Sequence, residues 1–192
     1  MNVKEFFNSI APRWDAAETH TEQDLRPLVD LCDIRPTDNV LDLGCGTGII
    51  SRLLAEKGQS VTGLDVSDKM IDLAKIKYAD RDDIQFVCGD FYDFDDVKFD
   101  YVVVFNAYPH FCDRQKFVTK LYDVLTDNGG FAIMHNIGRQ TLAVHHKNVT
   151  EIYRTLLPAQ EEKRCFEGLF DITAAEESDT HYLIKGVKKC NR

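Results

Sequence analysis

The chain predicts an α/β fold: a mostly parallel sheet with helices on both faces, finished by an antiparallel hairpin at its C-terminal end. Three observations carry that prediction. Strand-like and helix-like runs alternate between residues 40 and 134, the pattern of a parallel sheet with crossover helices. Residues 99–105 (FDYVVVF) are apolar almost throughout, as a central strand is when both its faces are covered. Two last strand-like runs, residues 169–174 and 180–186, flank the acidic segment Glu176, Glu177, Ser178, Asp179, which reads as the turn of an edge hairpin.

The elements follow in order. Residues 40–43 form a short apolar strand that runs into Gly44. Residues 47–57 read as a helix with Ile49, Ile50, Leu53 and Leu54 on one face, and Gly58 ends it. Residues 60–64 are the second strand, which stops at Asp65. Ser67 is placed to cap a helix over 68–79 that buries Met70, Ile71, Leu73 and Ala74. The third strand, 84–87, closes at Gly89 and Asp90, and the fourth is 99–105. A helix over 113–125 ends in an Asn128-Gly129-Gly130 turn, and residues 131–134 are the fifth strand. Another helix is expected over 158–167, ahead of the hairpin. The ends, 1–8 and 188–192, are expected to be loose. No linker-like composition divides the chain, so one domain over 1–192 is expected, with 1–35 as an N-terminal helical lid and 36–192 as the core.

Composition narrows the functional classes. With 192 residues, 44% hydrophobic and 29% charged, the chain can bury one substantial core and is not of disordered type. A net charge of −9 argues against a nucleic-acid partner, which needs a basic footprint to displace counterions. Residues 1–14 carry Lys4, Glu5 and Arg13 and no long apolar run, unlike a secretory signal. The strongest apolar stretch, around residues 101–105, is far too short for a membrane span. Cys32, Cys45, Cys88, Cys112, Cys165 and Cys190 stand far apart with no Cys-x-x-Cys pair, as expected of free thiols in a reducing cytoplasm. The chain is therefore expected to be cytoplasmic, with no nucleic-acid or membrane partner, as a monomer or homodimer.

The most informative stretch is VLDLGCGTGII, residues 40–50. A strand feeds a glycine-rich turn and a helix leaves it, and glycines at 44, 46 and 48 let the backbone pass close to a ligand. The strand ends at a crevice, the usual ligand position in such sheets. A dinucleotide site wants Gly-x-Gly-x-x-Gly, but position 49 is Ile49 and the third glycine is Gly48. Asp42 stands two residues before Gly44; a carboxylate there suits a cationic ligand and would repel a pyrophosphate. Asp65, twenty-one residues beyond Gly44, can accept from both hydroxyls of a ribose. It is equally suited to favour a helix dipole, and the two roles are compatible.

VLDLGCGTG, GLDVSDKM, GDF, FDYVVVFNAYPHF and DNGGF, in that order, together resemble the class I S-adenosylmethionine-dependent methyltransferases over about residues 40–134. The opening FFNSIAPRWD resembles the N-terminal lid of small bacterial members. The resemblance implies a Rossmann-like, seven-stranded sheet and S-adenosylmethionine as cofactor. It implies that Asp42, Gly44 and Gly46 hold the methionine part, and that Asp65, with Val66 next to it, binds the ribose. Met70 would pack on the adenine, and Asp90 would accept from its amino group, with Phe91 alongside. Asn106 and Ala107 would line the crevice near the sulfonium through their backbone, and Trp14 would help close the lid. Plainer readings stand beside these: Met70 as a helix core residue, Asp90 as a turn acid, Trp14 as a core anchor, and Cys45 as a small packing residue.

The acceptor is expected over the ends of the fourth and fifth strands, where His110 and His135 fall, with His145 and His146 soon after. Three readings stay open at this point: a general base drawn from His110 and His135, a metal such as zinc held by two or three of the four, or polar pocket residues without chemistry. Arg139 on the same rim could pair with a substrate carboxylate. The lid and residues 137–157 are the only segments free to shape a pocket, which favours a small-molecule methyl acceptor. The alternatives are a non-catalytic S-adenosylmethionine or nucleoside binder and, disfavoured by Ile49, a nicotinamide-dependent oxidoreductase.

Overall fold

The structure, a computed structural model, describes residues 1–17, 21–58, 60–95, 97–145 and 152–190. Seven strands form one sheet: β1 (Asn39–Leu43), β2 (Ser60–Asp65), β3 (Ile84–Cys88), β4 (Phe99–Phe105), β5 (Leu125–His135), β6 (Phe170–Glu177) and β7 (Tyr182–Lys188). Their spatial order is β3-β2-β1-β4-β5-β7-β6. The first five run parallel, while β7 is antiparallel to β5 and β6 is antiparallel to β7. The hairpin therefore sits at the sheet edge, with its second strand turned inward.

The helices are α1 (Val3–Ile10), α2 (Trp14–Ala17), α3 (Glu22–Val29), α4 (Ile49–Leu54), α5 (Asp68–Lys77), α6 (Arg114–Val124), α7 (Arg139–His145) and α8 (Ala159–Glu162). Side-chain caps start several of them. Ser67 accepts from the Met70 amide at the head of α5, and Asp113 accepts from the Lys116 amide at the head of α6. Alternate residues of the central strands feed two apolar layers. Val102, Val104, Phe131 and Ile133 face a cluster with Phe117, Leu121 and Phe166. Tyr101, Val103, Ala132 and Met134 face a second cluster with Leu25, Leu53 and Leu54. Both faces of β4 are thus covered, which is why FDYVVVF has no polar alternation.

Several expectations are corrected. The N-terminal residues are not loose: Asn2 and Glu5 form a capping box, each side chain bonding the other's backbone amide, and α1 follows. At the other end Lys188 is in β7, and the Lys189 amide donates to the Leu169 carbonyl. The fifth strand begins at Leu125 rather than 131, because Leu125 pairs with Phe99 before a bulge and Tyr101 then pairs with Gly130. The helix expected over 158–167 is only α8, followed by a 3-10 turn over Lys163–Cys165. That tighter turn brings wholly buried Phe166 against Phe131, ring centroids 5.2 Å apart.

Strand order reverses between β1 and β4. The chain steps outward from β1 to β2 and β3, then crosses back to β4 and β5. The chain leaving β1 and the chain leaving β4 therefore lead to helices on opposite faces of the sheet, α4 and α6, and a crevice opens at the carboxyl ends of the strands. The candidate site lies there.

Candidate functional site

A cavity of about 470 Å³ opens over these strand ends, within the range typical of small-molecule sites. Trp14, Asp42, Gly44, Gly46, Asp65, Val66, Met70, Asp90, Phe91, Asn106, Ala107 and His110 all line it. Twelve of the thirteen residues expected to bind the cofactor or act as general base thus converge on one hollow. The thirteenth, His135, does not: its side chain is wholly buried and packs edge-on to Tyr182, 6.0 Å between ring centroids, and it is not among the lining residues. As the last residue of β5 it points across the pleat away from the crevice, while Asn136 and Ile137 reach it instead.

The glycine loop does two different jobs. Gly44 has φ +76°, its amide donates to the Leu64 carbonyl at 2.8 Å, and a Cβ there would lie 2.4 Å from the Ala107 Cβ. Only glycine permits that turn and the close approach of the loops after β1 and β4. Gly48, at φ +88°, is the N-cap of α4, and a Cβ there would lie 2.7 Å from the Phe86 ring. It is not a lining residue; its role is close packing of helix on strand, not ligand approach.

The electrostatics are one-sided. Asp42 is 1% exposed and accepts from the Ser51 hydroxyl at 2.6 Å. Burial pushes its carboxyl up to about 7, against the lowering effect of Ser51. Asp65 accepts from the Gly46 amide at 2.9 Å and the Ser67 amide at 2.8 Å, tying the end of β2 to the glycine loop. Burial raises its carboxyl as well, opposed by those amides. Asp90 is exposed, caps the following 3-10 turn by accepting from the Tyr92 amide at 2.9 Å, and so satisfies its turn-acid reading while lining the cavity. Among the described lining residues there are three carboxylates and neither lysine nor arginine. This donor set fits a ligand carrying an ammonium, a sulfonium and a ribose, and does not fit a pyrophosphate.

The lid is built by α1 and α2. Val3, Phe6, Phe7, Ile10 and Trp14 turn into the cavity, and Phe7 meets Trp14 and His110 edge-on with centroids at 5.9 and 5.0 Å. Polar contacts hold the lid down. Asn8 donates to Asp68 at 3.1 Å and accepts from Ser67 at 2.6 Å, and Lys4 pairs with Asp68 at 2.8 Å. Asp15 accepts from Thr47 at 2.6 Å and pairs with Lys77 at 3.2 Å. The sequence marked this segment as a lid and named Trp14, but gave Val3, Phe6, Phe7 and Ile10 no individual role; their spacing on one apolar helix face was the available signal.

Opposite the lid stands His110. Its Nδ1 lies 2.8 Å from the Ile152 carbonyl; a carbonyl can only accept, so Nδ1 carries the proton and Nε2 is the basic nitrogen of the neutral ring. The turn that bears His110 rests on Arg154, whose amide donates to the Pro109 carbonyl and whose Nε donates to the Phe111 carbonyl, both at 3.0 Å. Arg154 stacks over the Tyr108 ring at 4.1 Å and pairs with Glu162 at 3.1 Å. Glu162, wholly buried, also takes Arg114 at 2.8 Å and the Tyr108 hydroxyl at 2.9 Å. Burial pushes its carboxyl up, but Arg114, Arg154 and the Leu157 amide outweigh that and hold it below the usual range. Nothing in the local sequence marked Glu162, because its partners Arg114 and Tyr108 are 48 and 54 residues away.

The other rim residues are accounted for differently. Arg139 pairs with Glu177 at 3.2 Å and does not line the cavity. His146 and the side chain of His145 lie outside the described residues. Among the described residues no cluster of three or more histidine, cysteine, aspartate or glutamate side chains could hold a metal ion. Cys45 is buried, and burial holds its thiol well above the ordinary value, in keeping with a packing role.

Comparison with known proteins agrees with this geometry. Residues 41–133 match a family described as "Methyltransferase domain". The chain is 30% identical over 162 residues to a demethylmenaquinone methyltransferase of Thermotoga maritima, covering 79% of this chain and 69% of that protein. It is 34% identical over 151 residues to a putative methyltransferase, YqeM, of Bacillus subtilis, covering 77% of this chain and 59% of that one. It thus spans well under the full length of these relatives. Among solved structures, it superposes with TM-score 0.79 on the putative methyltransferase complexed with the Haloferax volcanii activator Trm112, at 22% identity over 95% of this chain and 97% of that one. Glycine loop, acid-lined crevice, strand order and relatives together place this chain in the class I S-adenosylmethionine-dependent methyltransferases.

Proposed function

We propose that this protein transfers a methyl group from S-adenosylmethionine to a small-molecule acceptor. The observation that carries the reading is the cavity's charge: Asp42, Asp65 and Asp90 line it with neither lysine nor arginine among the described lining residues, so it is built to receive a cation. The reading assigns Asp42 to the ammonium, Asp65 to the ribose hydroxyls and Asp90 to the adenine amino group, with Met70 and Phe91 as the apolar bed for the ring. The backbone of Gly44, Gly46, Asn106 and Ala107 shapes the space around the sulfur, with Val66 beside the ribose.

When bound, the cofactor supplies a methyl group on a cationic sulfur that keeps the bonding pair as the methyl leaves. The protein's work is alignment, exclusion of water and removal of one proton. Alignment of two reactants in a closed site accounts for roughly 7–11 kcal/mol of barrier. The lid aromatics exclude water, and its polar latches on α5 and the glycine loop set when the site is closed. His110 takes the acceptor's proton at Nε2, while the Ile152 carbonyl bonded to Nδ1 stabilises the ring as it becomes cationic. His135, sealed behind the sheet, takes no part. The protein is read as cytoplasmic, acting as a monomer or homodimer; no described helix is long and apolar enough to cross a membrane.

The test is calorimetric titration with S-adenosylmethionine against the wild type, Asp65→Ala and His110→Ala. Binding is expected to be lost or severely weakened in the Asp65 variant and kept in the His110 variant. Unchanged affinity in Asp65→Ala would contradict the assignment.

A further inference from the structure

The half of the cavity left for the acceptor, between the lid and His110, is lined by Phe6, Phe7, Ile10, Phe111, Ile137 and Leu142. Its polar side chains include His110, Asn106, Asn136 and Tyr92, whose ring packs edge-on to Phe111 at 6.2 Å. The two asparagines are engaged with each other: the Asn106 amide donates to the Asn136 side-chain oxygen at 2.9 Å, and the Asn136 backbone amide donates to the Asn106 oxygen at 3.3 Å. Four of the described cations near this rim are committed elsewhere. Arg139 is paired with Glu177, Arg114 and Arg154 with Glu162, and Lys4 with Asp68 on the outer side of the lid. A carboxylate or phosphate entering here would lose its water and find no counter-charge, with three carboxylates lining the same hollow. That is a prohibitive cost for an unpaired ion. The ring of Phe7 stands edge-on to both Trp14 and His110, and with Phe6 and Phe111 it gives this half aromatic faces and edges beside the aliphatic Ile10, Ile137 and Leu142, a lining that favours a flat guest.

Resting on the methyl-transfer reading above, we propose that the acceptor is a flat, uncharged aromatic molecule whose own weakly acidic hydroxyl or thiol is methylated. The acceptor's O–H or S–H proton passes to His110 Nε2 as the new O–C or S–C bond forms, and the neutral thioether of the spent cofactor leaves. No anionic handle on the acceptor takes part in recognition.

Isosteric probes test this by binding alone. S-adenosylhomocysteine is first titrated into the protein, which reads the cofactor assignment by itself. 2-Naphthol, 2-naphthoate and 2-naphthylmethylammonium are then titrated at pH 7 into both the loaded and the free protein. In the loaded protein, where the cofactor engages the three carboxylates, the neutral naphthol is expected to bind at least about tenfold more tightly than either charged probe, since burying an unpaired ion costs more than that factor. Ile10→Arg, which adds a cation to the lid face, is expected to narrow or reverse the naphthol-to-naphthoate ratio. Equal or tighter binding of a charged probe by the loaded wild type overturns the inference and leaves the cofactor reading standing. So does failure of all three probes to bind. Failure of S-adenosylhomocysteine to bind overturns the cofactor reading, and the probe ratios on the free protein then judge the charge preference separately.

Discussion

Asp42 makes cofactor affinity depend on pH in a direction that can be worked out beforehand. In the unliganded protein, burial pushes this carboxyl up to about 7, whereas an ammonium beside it favours the ionised form. Binding must then expel a proton from Asp42 whenever the carboxyl begins protonated. From pH 6 to 7.5 the ionised fraction of a group with that pKa climbs from about one in ten to about three in four. S-adenosylmethionine affinity is therefore expected to rise roughly eightfold, or about 1.2 kcal/mol, across that interval. Stopping at pH 7.5 keeps the ligand's own amino group mostly protonated. Titration calorimetry in two buffers of different ionisation enthalpy counts the protons: about 0.9 released per ligand at pH 6, and about 0.25 at pH 7.5. Asp42→Asn retains an oxygen for the Ser51 hydroxyl but has no proton to lose, so its affinity is expected to be weaker and flat with pH. Stability should move the opposite way. Because the folded pKa lies above the ordinary value of 3.8, the folded state binds the extra proton, and stability falls as pH rises from about 4 to 7. The asparagine variant escapes that loss, which is on the order of 4 kcal/mol at most. It is expected to melt at a higher temperature than the wild type at pH 7.5, with the gap closing below pH 4. An affinity that is flat or falling between pH 6 and 7.5, with no proton release, would refute the reasoning.

Further predictions concern the frame around the site. His110→Gln is expected to lower the methyl-transfer rate by about 10²- to 10⁴-fold at unchanged cofactor affinity, measured with labelled cofactor under single-turnover conditions; an unchanged rate would remove it as the base. Gly44→Ala is expected to abolish S-adenosylmethionine binding in calorimetry, because its Cβ would lie 2.4 Å from that of Ala107 and φ is +76°; Gly44→Ala with Ala107→Gly should recover part of the binding. Glu162→Ala leaves Arg154 buried without its carboxylate and is expected to cost about 3–5 kcal/mol in urea unfolding, where a loss under 1 kcal/mol would show the hub to be dispensable. Asn8→Ala, which removes two of the lid's bonds to the head of α5, is expected to raise the cofactor dissociation rate in stopped-flow experiments that follow Trp14, the chain's single tryptophan.

Local sequence was sufficient wherever one short segment carries its own constraint. The apolar run of β4 announces burial on both faces, Ser67 and Asp113 announce helix starts, and Gly44 with Asp42 and Asp65 announces a crevice for a cation at strand ends. Those features depend on backbone conformation and on period, which neighbours in the chain dictate. What only the tertiary structure decided depends on residues far apart in sequence. The pleat of β5, set by pairing with β4 and β7, turned His135 away from the cavity and handed that rim to Asn136 and Ile137. The capping box at Asn2 and the bonds from Lys4 and Asn8 to α5 ordered the first residues of the lid, which read in sequence alone as a loose end. Packing against Phe86 explains Gly48, and convergence on Glu162 explains where Arg114 and Arg154 spend their charge. The acceptor half of the site is legible only after those long-range pairings are known, because a guanidinium's availability is a property of what folds against it.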